Sequence, residues 1–294
     1  MLRAILFSIL AFTAPAFAQE KDSCDSLSHI KILGVEITRT AHVEAGTTEL
    51  IPWNQTRSAP LPAYCRVEGV MNRRTGVADE EFGITFALAM PDKWNGDFLM
   101  QGGGGSNGIV LPPLGLNAAG DNPGLMRGFA VVSTDTGHKS RHPGFDFSFT
   151  RDQEAYLDFA YLANAEVAAL AKQLIAQHYG KPAAFSYFSG CSTGGREGMI
   201  LSQRYPTVFN GIISGDPAMR TGLSNLAIGR WIPGSGKSRR HQESPRRPED
   251  LHWNTGLRWF PLRHRHYKRP TVQGIALTGI RYFRARHNRH FNGC

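Results

Sequence analysis

The sequence predicts an α/β fold in which a mostly parallel sheet is covered by helices on both faces. Two observations support this prediction. Short apolar runs bounded by glycine or proline recur between residues 81 and 214, and such runs are typical of buried strands. Segments with helical spacing lie between these runs, and an alternation of strands and helices produces a parallel sheet.

The predicted strands follow in chain order. The run 81–90 has apolar residues at strand spacing and stops at Pro91. The run 97–101 is short and apolar, and it leads directly into the glycines of 102–105. Three further runs are rich in β-branched and aromatic residues: 129–134, 184–188 and 211–214. Their composition and length favour strands over helices.

Two helices are predicted between the later strands. Residues 152–179 carry apolar side chains at spacings of three and four, which places them on one helix face. Thr150 or Asp152 caps its start, and Gly180 ends it. A second helix is predicted over 195–205.

The N-terminus has the pattern of an export signal. Residues 1–18 begin with a positive charge at Arg3, continue with an apolar stretch over 5–12 and end in the small residues Ala16 and Ala18. A buried N-terminal helix is the alternative. The stretch is too short to cross a bilayer, so we expect a secreted or periplasmic protein without a membrane anchor.

Four cysteines follow this segment, at positions 24, 65, 191 and 294. An oxidising compartment permits disulfides. Cys24 and Cys65 flank the first segment of the exported part, and we expect them to pair; two free thiols are the alternative.

The charge divides the chain at about residue 232. The first 232 residues hold 19 Lys and Arg against 21 Asp and Glu, whereas residues 233–294 hold 14 against 3. This last segment has only 10 Leu, Ile, Val and Phe, which are too few to form a core. We therefore expect one folded domain over 19–232, followed by a basic tail over 233–294 that is disordered or translated out of frame.

The string Gly190-Cys191-Ser192-Thr193-Gly194 matches the G-x-S-x-G pattern. A predicted strand precedes it and a predicted helix follows it, which is the setting of a nucleophile elbow in α/β-hydrolase-type folds. The tight turn would project the hydroxyl of Ser192 from the edge of the sheet. An ordinary glycine-rich turn between a strand and a helix is the alternative.

A serine nucleophile also requires donors for the developing oxyanion. The backbone N–H of Thr193 is one candidate, because it follows the nucleophile directly. Gly103 and Gly104 are the others, since they lie in a glycine run after an earlier strand. A flexible surface loop is the alternative, and a phosphate-binding loop is disfavoured because no lysine follows the glycines.

Several motifs together resemble the tannase and feruloyl esterase family over about residues 24–232. They are CSTGGR at 191–196, the glycine run at 101–105, STDTGH at 133–138, the Tyr-Pro segment at 205–211 and GDPA at 215–218. The resemblance implies hydrolysis of small esters of aromatic acids, of the feruloyl or galloyl type, through Ser192. It also implies a disulfide from Cys191 to a cysteine directly after the catalytic histidine, and a lid domain that often holds calcium.

The chain departs from this pattern after residue 232. We find no lid, no late aspartate and no His-Cys pair; Cys294 follows Gly293. We therefore expect a sheet incomplete at its C-terminal end, no lid, no metal or cofactor site and no disulfide partner for Cys191. A truncated or frameshifted family member explains these departures.

The remaining triad candidates are few. Asp216 follows a predicted strand and is a possible acid, and His138 is expected to shape the floor of the site. Six histidines lie in the tail, at positions 241, 252, 264, 266, 287 and 290. Because a serine without a base is a weak nucleophile, we expect the chain as written to be weakly active or inactive.

Two other functions stay open. Another serine hydrolase or an acyltransferase would use the same elbow. An inactive remnant could instead bind anionic surfaces through its basic tail, in which tryptophan and tyrosine alternate with arginine. We expect no nucleic-acid partner, since no nucleic-acid-binding motif is present.

Overall fold

A computed structural model of the chain describes residues 24–52, 55–117, 122–142 and 145–219. The predictions for the export signal at 1–18, the tail at 233–294, the absent lid and the incomplete end of the sheet lie outside these residues. All described residues belong to one compact unit.

The described residues form nine strands. They are β1 (Val35–Val43), β2 (Leu50–Ile51), β3 (Thr56–Arg57), β4 (Tyr64–Thr75), β5 (Glu81–Pro91), β6 (Asp97–Gln101), β7 (Ala130–Thr134), β8 (Phe185–Cys191) and β9 (Gly211–Gly215). Strands β2 and β3 form a separate antiparallel pair. All five predicted strands are present; four have bounds shifted by one residue at most, and β8 continues three residues beyond the predicted 184–188.

The other seven strands form one sheet in the order β1-β4-β5-β7-β6-β8-β9. The pairs from β1 to β7 are antiparallel, whereas β7 with β6, β6 with β8 and β8 with β9 are parallel. The sheet is therefore mixed. Its parallel part consists of the predicted strands β6 to β9, and the sequence patterns did not predict the antiparallel strands β1 and β4.

The predicted long helix is divided into three parts. Helix α1 (Gln153–Leu157) is followed by a π-helical turn (Asp158–Leu162) and by α2 (Ala163–Tyr179). The Asp152 carboxylate accepts the N–H of Ala155 at 2.9 Å and so caps α1. The second predicted helix is α3 (Thr193–Arg204).

Two apolar cores lie on opposite faces of the sheet, because successive residues of a strand point to opposite sides. In β6, Phe98 and Met100 belong to the core that is shared with α2 and α3, whereas Leu99 belongs to the second core. Both long helices thus cover one face. Within the described ranges, the second face carries loop segments and a short 3-10 helix (Leu125–Arg127). Helices were predicted on both faces; the structure has the long helices on one face and this short 3-10 helix on the other.

The predicted disulfide between Cys24 and Cys65 is confirmed, with both side chains fully buried. It ties the start of the described chain to β4. Among the described residues, no helix combines the length and the apolar character that crossing a membrane requires.

Candidate active site

The site is built where parallel strands end at one edge of the sheet. Strand β6 runs into the glycines of 102–105, β7 runs into the turn 135–138, β8 runs into Ser192 and β9 runs into Asp216. Since these four strands are parallel to one another, their C-terminal ends and the turns that follow them lie at the same edge. In open α/β sheets this edge is where ligands bind.

Ser192 occupies a strained backbone conformation, with φ 58° and ψ −116°. Its N–H donates to the carbonyl of Gly215 at 3.1 Å, and its own carbonyl accepts the N–H groups of Arg196 and Ala218, each at 3.0 Å. The turn is therefore held from both sides, which offsets the strain of a positive φ at a non-glycine residue. The side chain is exposed and makes no hydrogen bond to the helix that it precedes.

The glycines of the motif are required by close backbone contacts. A Cβ on Gly190 would lie 2.6 Å from the carbonyl oxygen of Gly194, and a Cβ on Gly195 would lie 2.1 Å from that of Gly215. Neither position has room for a side chain. The local sequence thus forces β8, α3 and the loop after β9 together around Ser192.

The glycine run after β6 lies directly against this turn. The N–H of Gly102 donates to the carbonyl of Ser189 at 2.9 Å, and the N–H of Gly194 donates to the carbonyl of Gly103 at 3.1 Å. The hydroxyl of Thr193 donates to the carbonyl of Gly105. The two loops that were expected to carry the oxyanion donors are therefore in contact.

The orientation of each peptide decides which N–H groups are free. The N–H of Gly103 donates to the carboxylate of Glu197 at 3.1 Å, so the prediction of Gly103 as an oxyanion donor is corrected. The carbonyl of Gly103 and the N–H of Gly104 belong to one trans peptide and point in opposite directions. Because that carbonyl faces Gly194, the Gly104 N–H points away from the helix.

Two predicted donors keep an uncommitted N–H within the described part of the chain. Thr193 is the first residue of α3, where a backbone N–H has no acceptor inside the helix. The N–H of Gly104 makes no hydrogen bond to a described residue, and the space beside its Cα is open. The helix dipole adds partial positive charge at the same place.

Arg196 and Glu197 are structural parts of the site that the sequence did not single out. Glu197 is 2% exposed and lies one turn below Thr193, on the helix face that also carries the buried Leu201. The spacing of four residues between Glu197 and Leu201 was the signal in the sequence that could have placed Glu197 on the buried face of the helix. A carboxylate in that position needs hydrogen-bond donors. Arg196 extends to the π-helical turn and donates to the carbonyls of Phe159 and Ala160.

The turn after β7 supplies buried polar groups beside the glycine loop. Burial raises the pKa of Asp135 to about 7, although its carboxylate accepts the N–H groups of Thr85 and Gly137. Burial also lowers the pKa of His138 to about 4, so its ring is neutral at neutral pH. The ring stacks on Phe149 with 3.5 Å between centroids. The role of His138 in the floor of the site stays a prediction.

The structure does not assemble a triad from its described residues. Asp216 is exposed after β9, and its carboxylate makes no ion pair or hydrogen bond with a described histidine. The six tail histidines lie outside the described residues. Within the described ranges, no group of three or more His, Cys, Asp and Glu side chains is arranged to hold a metal ion.

Cys191, directly before the nucleophile position, is disulfide-bonded. The prediction that its disulfide partner is missing is therefore wrong. Cys24 and Cys65 pair with each other and not with Cys191.

Known proteins with similar sequences include esterases. A hydrolase of mono(2-hydroxyethyl) terephthalate from Piscinibacter sakaiensis is 39% identical over 180 residues, which cover 59% of this chain and 30% of that protein. A probable feruloyl esterase from Arthroderma benhamiae is 31% identical over 229 residues, which cover 74% of this chain and 41% of that protein. The chain thus spans about a third of the length of the curated relatives that it matches.

The fold agrees with these similarities. The crystal structure of feruloyl esterase B from Aspergillus oryzae aligns with a TM-score of 0.56 and 30% identity, covering 68% of this chain and 37% of that one. The predicted α/β-hydrolase-type fold is thereby confirmed. The sequence model described as tannase and feruloyl esterase matches residues 65–236, which include the glycine loop, the serine turn and both long helices. With more than half of its length matched, the chain belongs to the tannase and feruloyl esterase family.

Proposed function

We propose that this chain is a carboxylic ester hydrolase in which Ser192 is the nucleophile. The observation that carries the proposal is the strained turn that exposes the Ser192 side chain directly before the uncommitted backbone N–H of Thr193. A positive φ at a non-glycine residue persists only where the surroundings enforce it, and such positions cluster at functional sites.

The chemistry follows from this arrangement. The Ser192 hydroxyl attacks the ester carbonyl carbon, and the carbonyl oxygen takes up negative charge as the tetrahedral intermediate forms. The N–H of Thr193 donates to that oxygen, with support from the dipole of α3. Collapse of the intermediate expels the alcohol, and water then cleaves the acyl-serine bond.

We propose esters of aromatic acids as the substrates. The two named relatives are called a terephthalate ester hydrolase and a probable feruloyl esterase, and both acids carry a benzene ring. We further propose that turnover by the chain as written is weak, because no described histidine is hydrogen-bonded to Ser192. Loss of a base lowers the rate by several orders of magnitude, whereas an oxyanion site alone retains part of it.

The test is hydrolysis of 4-nitrophenyl acetate, methyl ferulate and methyl gallate by the full chain, with Ser192→Ala as the matched control. Ethyl butyrate serves as the aliphatic comparison. We expect slow hydrolysis that depends on Ser192 and is faster for the aromatic acid esters than for ethyl butyrate. Equal rates for the chain and for Ser192→Ala would refute the proposed nucleophile.

Fast turnover that depends on Ser192 would refute only the weak-activity part of the proposal. It would mean that a base outside the described residues reaches the serine. Equal rates on the aliphatic and aromatic esters would refute the proposed substrate class and leave the nucleophile standing.

A further inference from the structure

The carboxylate of Glu197 is buried beneath the glycine loop. Its side chain is 2% exposed, and it extends from α3 to the backbone of a loop 94 residues earlier in the chain. One carboxylate oxygen accepts the N–H of Gly103 at 3.1 Å, and the other accepts the side-chain amide of Asn107. The amide of Asn164, from α2, adds a third interaction.

A buried carboxylate is stable only where donors replace the water that it has lost. Two of the donors to Glu197 come from the same short segment, at Gly103 and Asn107. The segment closes on itself, since the N–H of Asn107 donates to the carbonyl of Gly104 at 2.8 Å. Glu197 thus binds both ends of a tight turn that has Gly104 at its exposed tip.

These contacts fix the two peptide groups on either side of Gly103. Its N–H is bound by Glu197, and its carbonyl is bound by the N–H of Gly194 at 3.1 Å. Glycine has an unusually wide range of backbone conformations, so an unbound Gly103 would let the next peptide rotate. With both groups held, the direction of the Gly104 N–H is determined.

We propose that Glu197 is a positioning residue that holds the glycine loop in place against the turn of Ser192. This inference rests on the proposed function. Glu197 does not touch the substrate. It acts through the Gly103 peptide, so its removal lowers the rate of the chemical step more than it weakens substrate binding.

Two substitutions separate hydrogen bonding from charge. Glu197→Leu removes both acceptors. Glu197→Gln keeps an acceptor for the Gly103 N–H, and its new NH₂ group can donate to Asn107 if the Asn107 amide flips. That flip is available because the Asn107 oxygen has no hydrogen-bond partner among the described residues. Glu166→Gln is the matched control, because Glu166 also accepts an asparagine amide, that of Asn72 at 3.0 Å, away from the loop.

The experiment measures kcat and KM on 4-nitrophenyl acetate for these variants, with Ser192→Ala as the background. We expect Glu197→Leu to lower kcat about 10- to 100-fold, because small misplacements of catalytic groups have effects of this size. Its KM should stay within about threefold, and Glu197→Gln and Glu166→Gln should keep kcat within about threefold. Amide hydrogen exchange is measured in parallel, and Gly103 should lose protection in Glu197→Leu alone.

Asn107→Gly provides a second route if Glu197→Leu does not fold. Residue 107 has a positive φ of 52° that glycine accepts readily, and the substitution removes one donor to Glu197. We expect a smaller loss of kcat in this variant, again with little change in KM.

The outcomes distinguish the two proposals. A folded Glu197→Leu variant with unchanged kcat, in a chain whose activity depends on Ser192, overturns the positioning role alone. An equal loss in Glu197→Gln and Glu197→Leu also overturns it, since hydrogen bonding would then not be the cause. If the unmodified chain is no faster than Ser192→Ala, the proposed function fails and this role fails with it. Exchange at Gly103 then still reports whether Glu197 holds the loop.

Discussion

The guanidinium of Arg196 lies over the ring of Phe159, 4.5 Å from its centroid, and donates to the Phe159 carbonyl at 3.0 Å. It also donates to the carbonyl of Ala160 at 3.1 Å. Both carbonyls belong to the π-helical turn, where the regular ladder of helix hydrogen bonds is interrupted. One side chain of the serine motif thus stabilises an irregular turn of the neighbouring helix.

Replacing Arg196 by methionine should lower the free energy of unfolding by about 2–4 kcal/mol. The substitution leaves two carbonyls without their donor and removes a cation–π contact. Arg204→Met is the control, since Arg204 also lies over an aromatic ring, that of Tyr161 at 4.4 Å, but is exposed. We expect Arg204→Met to lower the free energy of unfolding by less than about 0.5 kcal/mol. Urea unfolding measures both, and equal losses would contradict the role assigned to the carbonyl contacts.

Alanine substitutions in the glycine loop should have opposite outcomes at neighbouring positions. A Cβ on Gly102 would lie 2.9 Å from the Cα of Gly194 and 3.0 Å from that of Gly190, whereas a Cβ on Gly104 meets nothing within 4 Å. We expect Gly102→Ala to move the loop and lower kcat about 10- to 100-fold. Gly104→Ala retains its backbone N–H, and its kcat should stay within about threefold of that of the unmodified chain.

These rates are compared on 4-nitrophenyl acetate after subtraction of the Ser192→Ala background. Circular dichroism confirms that both variants fold. A Gly104→Ala variant as slow as Gly102→Ala would show that the space beside Gly104 is not open in solution.

The parts of the site that depend on local sequence could be predicted. The strand, tight turn and helix around Ser192 follow from neighbouring residues, and so do the small residues that the turn requires. That the Gly103 N–H is already bound could not be predicted in this way, because its acceptor, the Glu197 carboxylate, lies 94 residues later in the chain.

The antiparallel strands β1 and β4 show a second limit. In β4, charged residues such as Arg66 and Glu68 alternate with buried Val67 and Gly69. Short apolar runs indicate buried strands, and the charged residues of β4 interrupt any such run. The π-helical turn was missed because Asp158 to Leu162 keep an apolar spacing that fits an ordinary α-helix.

Replacing Asp152 by alanine should lower the free energy of unfolding by about 2–4 kcal/mol. Its carboxylate caps α1 at Ala155, accepts the N–H of Val77 at 3.2 Å and pairs with Arg74. Asp152→Asn keeps the capping oxygen and should lower the free energy of unfolding by less than Asp152→Ala does.

The loss of stability in Asp152→Ala should also depend on pH. The hydrogen bonds from Arg74 hold the pKa of Asp152 well below its usual range. A depressed pKa contributes stability above the unfolded pKa of about 4, and this contribution is lost as the pH falls below it. The difference between the chain and Asp152→Ala should therefore shrink at low pH in urea titrations. A difference that stays constant from pH 7 to pH 3 would contradict the ionic part of the effect.

Asp158 should have the opposite dependence on pH. Burial, together with the neighbouring Glu166 and Glu154, raises its pKa to about 7. A carboxyl group with a raised pKa contributes stability below the unfolded pKa of about 4, and this contribution is lost as the pH rises toward about 7.

Asp158→Asn removes the ionisation and should therefore stabilise the chain by about 1–3 kcal/mol at pH 8, with little effect near pH 4. Urea unfolding at pH 4, 6 and 8 measures this, with the exposed Asp25→Asn as control. Parallel pH profiles for the chain and Asp158→Asn would show that Asp158 is already ionised at little cost in the folded state.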